Sequence, residues 1–351
     1  MVRRWAAALL ALACLAAACG EGRRAAPPLE VVTIRGGTMG TSFAIKYVDR
    51  AEDRPRFEAA VRLCLERINR LFNTYVEDSV VSRFNALRHT EPVEVPAEFC
   101  REVVRALRIA VATDGAFDPT IQPVSKILPV GDRAVALPPS QADVERARVH
   151  VGYRKLQVVD ATHLQKLEPE VAIDPNAFAK GYGVDAVAVL LESLGVDSYL
   201  VEIGGELRAA GQKPSGAPWR VGIEKPSEDG ARVVAEVVAL KAPAASIATS
   251  GNYRQFFESE GRRIGHIVDP RTGRSPQVQV VSATVRAADC AVADALATAL
   301  MVTGPAAIAA IDAALEESFE AVVLVASVDA GGAVRRVAYR WSGEGPAETQ
   351  R

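Results

Sequence analysis

The sequence predicts an α+β fold of mixed and antiparallel sheets with peripheral helices. Three observations carry this. Strand-like and helix-like runs alternate without the regular strand–helix–strand order of a doubly wound sheet. No Gly-rich dinucleotide fingerprint opens a helix, because Gly36-Gly37-Thr38-Met39-Gly40 lies between two strand-like runs instead. The 351 residues are ample for a full core, and 49% hydrophobic with 24% charged residues is ordinary globular composition.

Taken in order, Met1-Val2-Arg3-Arg4 is a basic start, residues 5–18 are apolar, and Ala16-Ala17-Ala18 precede Cys19. This is the pattern of a bacterial export signal, residues 1–18, ending at a lipidation cysteine, Cys19. Residues 19–30 read as a tether, 31–341 as the folded domain and 342–351 as a frayed tail. Residues 31–34 and 42–47 read as strands. Phe57, Val61, Cys64, Ile68 and Leu71 recur at helical spacing and predict a helix over 55–72. Residues 73–79 form a polar loop leading to Ser82, Arg83 and Asn85. Phe99, Val103, Leu107 and Ala110 mark a second helix that stops at Asp114-Gly115, and 141–148 a short third one. Residues 156–159 and 163–167 suggest a hairpin, and 172–174 a strand end. Val184, Val187, Leu191 and Leu194 line the next helix, closed by Gly195. Later strands are expected at 199–203, 219–223, 233–240, 280–285, 321–326 and 334–339, with helices at 288–302 and 306–316.

The charge balance, 41 Lys and Arg against 43 Asp and Glu, argues against a nucleic-acid partner. The cysteines show no metal-ligand spacing, and Cys64 and Cys100 fall on apolar helix faces as core residues.

The chemistry concentrates elsewhere. Residues 246–277 hold Thr249-Ser250-Gly251, a lone His266, and the turn Asp269-Pro270-Arg271-Thr272-Gly273. His266 has the pKa range of a general base, and Arg271 the fork that holds phosphate oxygens. Taken alone, the stretch also reads as a hairpin with a buried histidine and a surface ion pair. Asp294 and Thr298 share one helix face and suit a hard cation such as Mg²⁺, or serve the helix alone. Asp174 and Lys180 flank a strand-to-helix turn that can offer amides and an ammonium to phosphate.

Several segments, in this order, are shared with a known family: Gly37-Thr38-Met39-Gly40-Thr41; Tyr75 with Asp78-Ser79; Gly115-Ala116-Phe117-Asp118-Pro119-Thr120; Asp174 through Lys180-Gly181-Tyr182 to Asp185; Gly204-Gly205; Thr249-Ser250-Gly251; His266-Ile267-Val268-Asp269-Pro270-Arg271-Thr272-Gly273; and Asp294 to Thr298. Over about residues 31–304 the chain resembles the ApbE-type FAD:protein FMN transferases. The resemblance implies an ApbE-like fold with the FAD site in a cleft between lobes. It implies Mg²⁺-dependent transfer of the FMN moiety of FAD to a Thr or Ser hydroxyl of an acceptor protein, releasing AMP. Hydrolysis of FAD to FMN and AMP, or FAD binding without chemistry, are the alternatives. By the same resemblance Mg²⁺ takes Asp294, Thr298 and the backbone oxygen of Ala177, and His266 is the base on the acceptor hydroxyl. Met39, Tyr75, Ala116, Phe117, Asp118, Asp174, Lys180 and Val268 match FAD-contacting positions. The expected location is the cell envelope, lipid-anchored on the extracytoplasmic or periplasmic face. Pro175-Asn176, Glu202 and Ala297 depart from the commoner family residues.

Overall fold

The first described element is a hairpin. β1 (Glu30–Thr38) and β2 (Thr41–Asp49) pair antiparallel across a two-residue turn. Val32 and Ile34 of one strand and Phe43, Ile45 and Tyr47 of the other point inward, the period-two pattern of a half-buried sheet. The turn is Met39-Gly40, both at positive φ, 47° and 70°, as a primed hairpin turn requires. A computed structural model describes residues 28–128, 139–225, 233–240, 245–251, 256–259, 262–265, 267–328, 334–342 and 347–350. Residues 1–18, expected to be an export signal, and Cys19 lie outside the described residues.

Helix α1 (Arg54–Phe72) follows, its buried face the one the spacing predicts. The polar loop expected at 73–79 is present, and it leads into helix α2 (Val80–Ala86), which no sequence signal indicated, started by Ser79, whose Oγ accepts the Ser82 N–H at 3.1 Å. After β3 (Val93–Glu94) come α3 (Ala97–Ala112), α4 (Gln122–Ser125), α5 (Gln141–Arg148), and the hairpin β4 (Leu156–Val158) and β5 (His163–Lys166). The expected strand at 172–174 is not one. The Asn85 side-chain amide takes the place of a neighbouring strand, donating to Ile173 O at 2.8 Å and accepting Ile173 N–H at 2.7 Å.

Helix α6 (Ala179–Ser193) leads to β6 (Tyr199–Ile203) and β7 (Glu206–Ala210), a hairpin turned by Gly204-Gly205. Then come β8 (Trp219–Lys225), β9 (Val233–Leu240), β10 (Ala245–Gly251), β11 (Phe256–Ser259), β12 (Arg262–Gly265), β13 (Val280–Ala287) and α7 (Cys290–Thr303). The expected helix at 306–316 is a 3₁₀ turn, Pro305–Ala307, and a short α8 (Ile308–Ala314). The chain closes on β14 (Glu320–Val328), β15 (Val334–Trp341) and β16 (Ala347–Gln350). β16 pairs with β15, so this part of the tail expected to be frayed extends the sheet.

The α+β class stands. A nine-stranded sheet runs in the order β1-β2-β6-β7-β10-β13-β14-β15-β16, each neighbour antiparallel. Helices α6 and α7 cover one face. Val201, Ile203, Ala248 and Val285 point into that core, while the alternate Leu200 and Ile247 join Trp219 and Leu240 of the β8–β9 pair on the other face. Helix α7 is buried almost all round, which is why its sequence is apolar on every side. Among the described residues no single helix is long and apolar enough to cross a membrane. Cys64, Cys100 and Cys290 are buried free thiols, as expected of core residues for the first two.

Candidate active site

The two central helices are locked together at their N-terminal ends. Gly181 of α6 lies so close to α7 that a Cβ there would sit 2.4 Å from Cys290 O. One turn on, Asp185 caps α7 from outside: its carboxylate accepts Cys290 N–H at 3.0 Å and Ala291 N–H at 2.9 Å, and pairs with Arg208 at 3.0 Å. Burial raises the Asp185 pKa against the pull of these hydrogen bonds. Asp185 is thus a structural acid.

This lock brings Lys180 to Asp294. The Lys180 ammonium lies 3.5 Å from Asp294 Oδ2 and 3.3 Å from Glu206 Oε1. Asp294, 3% exposed, also accepts Gly181 N–H at 3.2 Å through Oδ2. Burial disfavours the Lys180 charge, but Asp294 and Glu206 outweigh it and its pKa rises. Burial raises the pKa of Glu206, opposed by Lys180. One turn beyond Asp294, Thr298 Oγ1 meets Ser250 Oγ of β10 at 3.3 Å. Ala177 packs half-buried against the core just before α6. The structure therefore gathers Lys180, Asp294, Thr298 and Ser250 around the start of α6 and the middle of α7.

The remaining expected ligand residues divide by environment. Tyr75 is 74% exposed on the loop after α1, an open ring face. Met39 packs half-buried beside Gly183 of α6. Ala116 and Phe117 are buried, and Phe117 meets Phe178 edge-on, so their side chains serve the core. Asp118 is buried as well. It accepts Thr120 N–H at 2.7 Å, Thr120 O–H at 2.6 Å and Tyr153 N–H at 2.7 Å, tying two loops together. Asp174 accepts Asn176 N–H at 3.0 Å and the Ser125 hydroxyl, while its own N–H donates to Pro119 O at 2.7 Å. The same turn survives Pro175, whose missing N–H is not needed by these bonds.

Arg271 makes a two-pronged pair with Asp269, at 2.9 Å from Nε and 2.8 Å from Nη2. Its stem lies beside Gly115, and both border a cavity of about 270 Å³ with Asp114, Asp118, Gly152 and Tyr153. Val268 packs with Val124 and Leu128 at the same side. Asp114 takes φ 46°, and with Met39 it is the other non-glycine residue at positive φ among the described residues. Such backbone is sparsely populated and clusters at functional loops. His266 lies outside the described residues.

The chain has counterparts among known proteins. The ApbE family model matches residues 39–323. A protein of Vibrio cholerae named FAD:protein FMN transferase is 39% identical over 306 residues, 86% of this chain and 88% of that protein. Its namesake in Escherichia coli K12 is 35% identical over 85% of this chain and 86% of its own length. The solved flavin transferase ApbE from Vibrio cholerae superposes with a TM-score of 0.76 at 35% identity, over 92% of this chain and 97% of that one. The apo flavinyl transferase ApbE of Pseudomonas stutzeri gives 0.74 at 33%, over 92% and 95%. The chain belongs to the ApbE family.

Within this ApbE family member, the sequence reading missed Glu206. It is 5% exposed, and its Oε2 is buried without a hydrogen-bond partner among the described residues. The only local signal was an acid directly after Gly204-Gly205. Those glycines, at φ 66° and 109°, turn β6 into β7, and Glu202 stabilises the turn by accepting Gly205 N–H at 2.8 Å. The departure at Glu202 therefore has a structural role here.

Proposed function

We propose that this protein transfers the FMN moiety of FAD to a Thr or Ser hydroxyl of an acceptor protein and releases AMP. The observation that carries the reading is the gathering of Lys180, Asp294, Thr298 and Ser250, in a chain similar to flavin transferases over nearly its whole length. The donors that the resemblance assigns to the cation are hard oxygens: the Asp294 carboxylate and Thr298 hydroxyl of α7, and the backbone oxygen of Ala177. Nearby, Glu206 keeps a buried oxygen that has no partner among the described residues. Among the described residues no three of His, Cys, Asp and Glu converge into a cage. That fits Mg²⁺, which takes few carboxylates and completes its shell with water and phosphate. Bound there, Mg²⁺ would neutralise charge on the pyrophosphate.

The chain's own groups account for the rest. Lys180 offers a full positive charge to phosphate, since its raised pKa keeps it protonated across physiological pH. Arg271, at the cavity beside Gly115, exchanges its Asp269 partner for phosphate oxygens. Tyr75 supplies a ring for the isoalloxazine or adenine to stack on. His266 accepts the proton of the acceptor hydroxyl as its oxygen attacks the phosphorus of the FMN half, and the bond to the AMP half breaks.

The basic start, apolar run and Cys19 support export and lipid anchoring on the outer face of a membrane. Loss of lipid labelling in Cys19→Ser, with release from the membrane fraction, is the expected check on this.

Incubating the protein with FAD, Mg²⁺ and a candidate acceptor tests the main reading by acceptor mass. An FMN adduct is expected, lost in Asp294→Ala and reduced at least about a hundredfold in His266→Ala, the lower range for a general base. FMN and AMP accumulating without adduct at any acceptor would replace transfer by hydrolysis.

A further inference from the structure

We propose that Glu206 is a further ligand of the divalent cation that Asp294 and Thr298 hold; this rests on the metal-dependent reading above. The first argument is charge. One ammonium, Lys180, sits between two buried carboxylates, 3.3 Å from Glu206 and 3.5 Å from Asp294. The other nearby cation, Arg208, is committed to Asp185 and Asp289, at 3.0 and 3.4 Å. With both acids ionised the cluster carries one negative charge in excess, and buried charge without a partner is costly.

The second argument is the orphan oxygen. Glu206 Oε1 faces Lys180, yet Oε2 is buried with no hydrogen-bond donor among the described residues. Buried polar atoms are nearly always satisfied, so a buried carboxylate oxygen with no donor among the described residues marks an absent partner. Gly204 keeps that space open: a Cβ there would lie 3.3 Å from Glu206 Oε2, 3.3 Å from Lys180 Cδ and 3.0 Å from Thr41 Cγ2.

The third argument is the donor count. Ala297 and Ala177 bring no side-chain oxygen, so α7 offers one carboxylate and one hydroxyl. Glu206 is the second carboxylate the fold brings to the same ammonium. A cation arriving here displaces the Lys180 charge from its two acids and frees it for phosphate. Glu206 thereby links loading of the cation to release of Lys180.

Binding of Mn²⁺, as a probe for Mg²⁺, to the metal-free protein without FAD tests this by the loss of the free-Mn²⁺ electron spin resonance signal. Glu206→Gln is expected to raise the Mn²⁺ Kd by about tenfold or more, and Asp294→Asn likewise. Lys180→Met is expected to lower it severalfold, because the competing ammonium is gone. Metal-free Glu206→Gln should melt no earlier than wild type, since it loses excess charge, while the Mn²⁺-induced rise in Tm disappears. A merely structural pairing of Glu206 with Lys180 predicts the opposite: both variants melt early and neither Mn²⁺ affinity changes in these directions. Wild-type Mn²⁺ affinity in Glu206→Gln, with loss in Asp294→Asn, overturns the assignment of Glu206 and leaves the transfer reading standing. Wild-type affinity in Asp294→Asn removes the cation site itself.

Discussion

Buried acids in this protein do three different things, and their neighbours decide which. Asp118 and Asp185 each collect backbone N–H groups and hold loops or helix ends. Asp294 and Glu206 share one lysine and face the candidate site. Glu102 on α3 does neither. It is 4% exposed, its nearest cation is Arg105 at 3.4 Å, and burial pushes its pKa from 4.5 up to about 7. A carboxyl whose folded pKa is raised binds protons more readily folded than unfolded between those two values, so stability falls as pH rises from 4.5 to 7. Below that window the group contributes no penalty; above it the penalty is complete, on the order of 2 kcal/mol once partial screening by Arg105 is allowed. Glu102→Gln is therefore expected to match wild type in urea unfolding near pH 4.5 and to be the more stable protein at pH 8. An equal difference at both pH values would show that Glu102 titrates normally.

At the scale of elements, the contact between α6 and α7 positions the chemistry. Gly181→Ala would place a Cβ 2.4 Å from Cys290 O and 2.7 Å from Ala291 Cα, both backbone atoms. The helices must part, which strains the Asp185 cap and draws Lys180 away from Asp294. A loss of roughly 2–3 kcal/mol is expected, with weakened FAD binding; a wild-type unfolding midpoint would mean that the helices yield without cost. This dependence explains what could be read from the chain alone. Helices α1, α3, α5 and α6 were legible because each carries its own periodicity or cap. The seven-residue α2 was hidden because a single capped turn and its successor have too few apolar repeats to show a period. The segment at 172–174 misled because its apolar residues are buried, as a strand's would be, while its hydrogen bonds go to Asn85 and Pro119 rather than to a sheet. At the site, Asp294, Thr298 and Lys180 lie in recognisable motifs. Glu206 does not, since only the turn at Gly204-Gly205 brings it to Lys180.

Over the whole molecule, the candidate site has no local existence. Met39 comes from the first hairpin, Asp118 and Asp174 from loops, Lys180 from α6, Ser250 from β10, and Asp294 and Thr298 from α7. These elements meet only when the nine-stranded sheet and its helices are complete. A ligand held by all of them must then stabilise regions it never touches. The β8–β9 pair is such a region, packed through Trp219 on the sheet face away from α6 and α7. Saturation with FAD at about a hundred times Kd contributes roughly 2.7 kcal/mol to the folded state by mass action. If unfolding is cooperative, amides of β8–β9 that exchange only by global opening gain the same protection as those of α7 in hydrogen-exchange mass spectrometry. Protection confined to α6, α7 and the loop after Asp174 would instead show that the site-bearing layer opens separately from the outer strand pair.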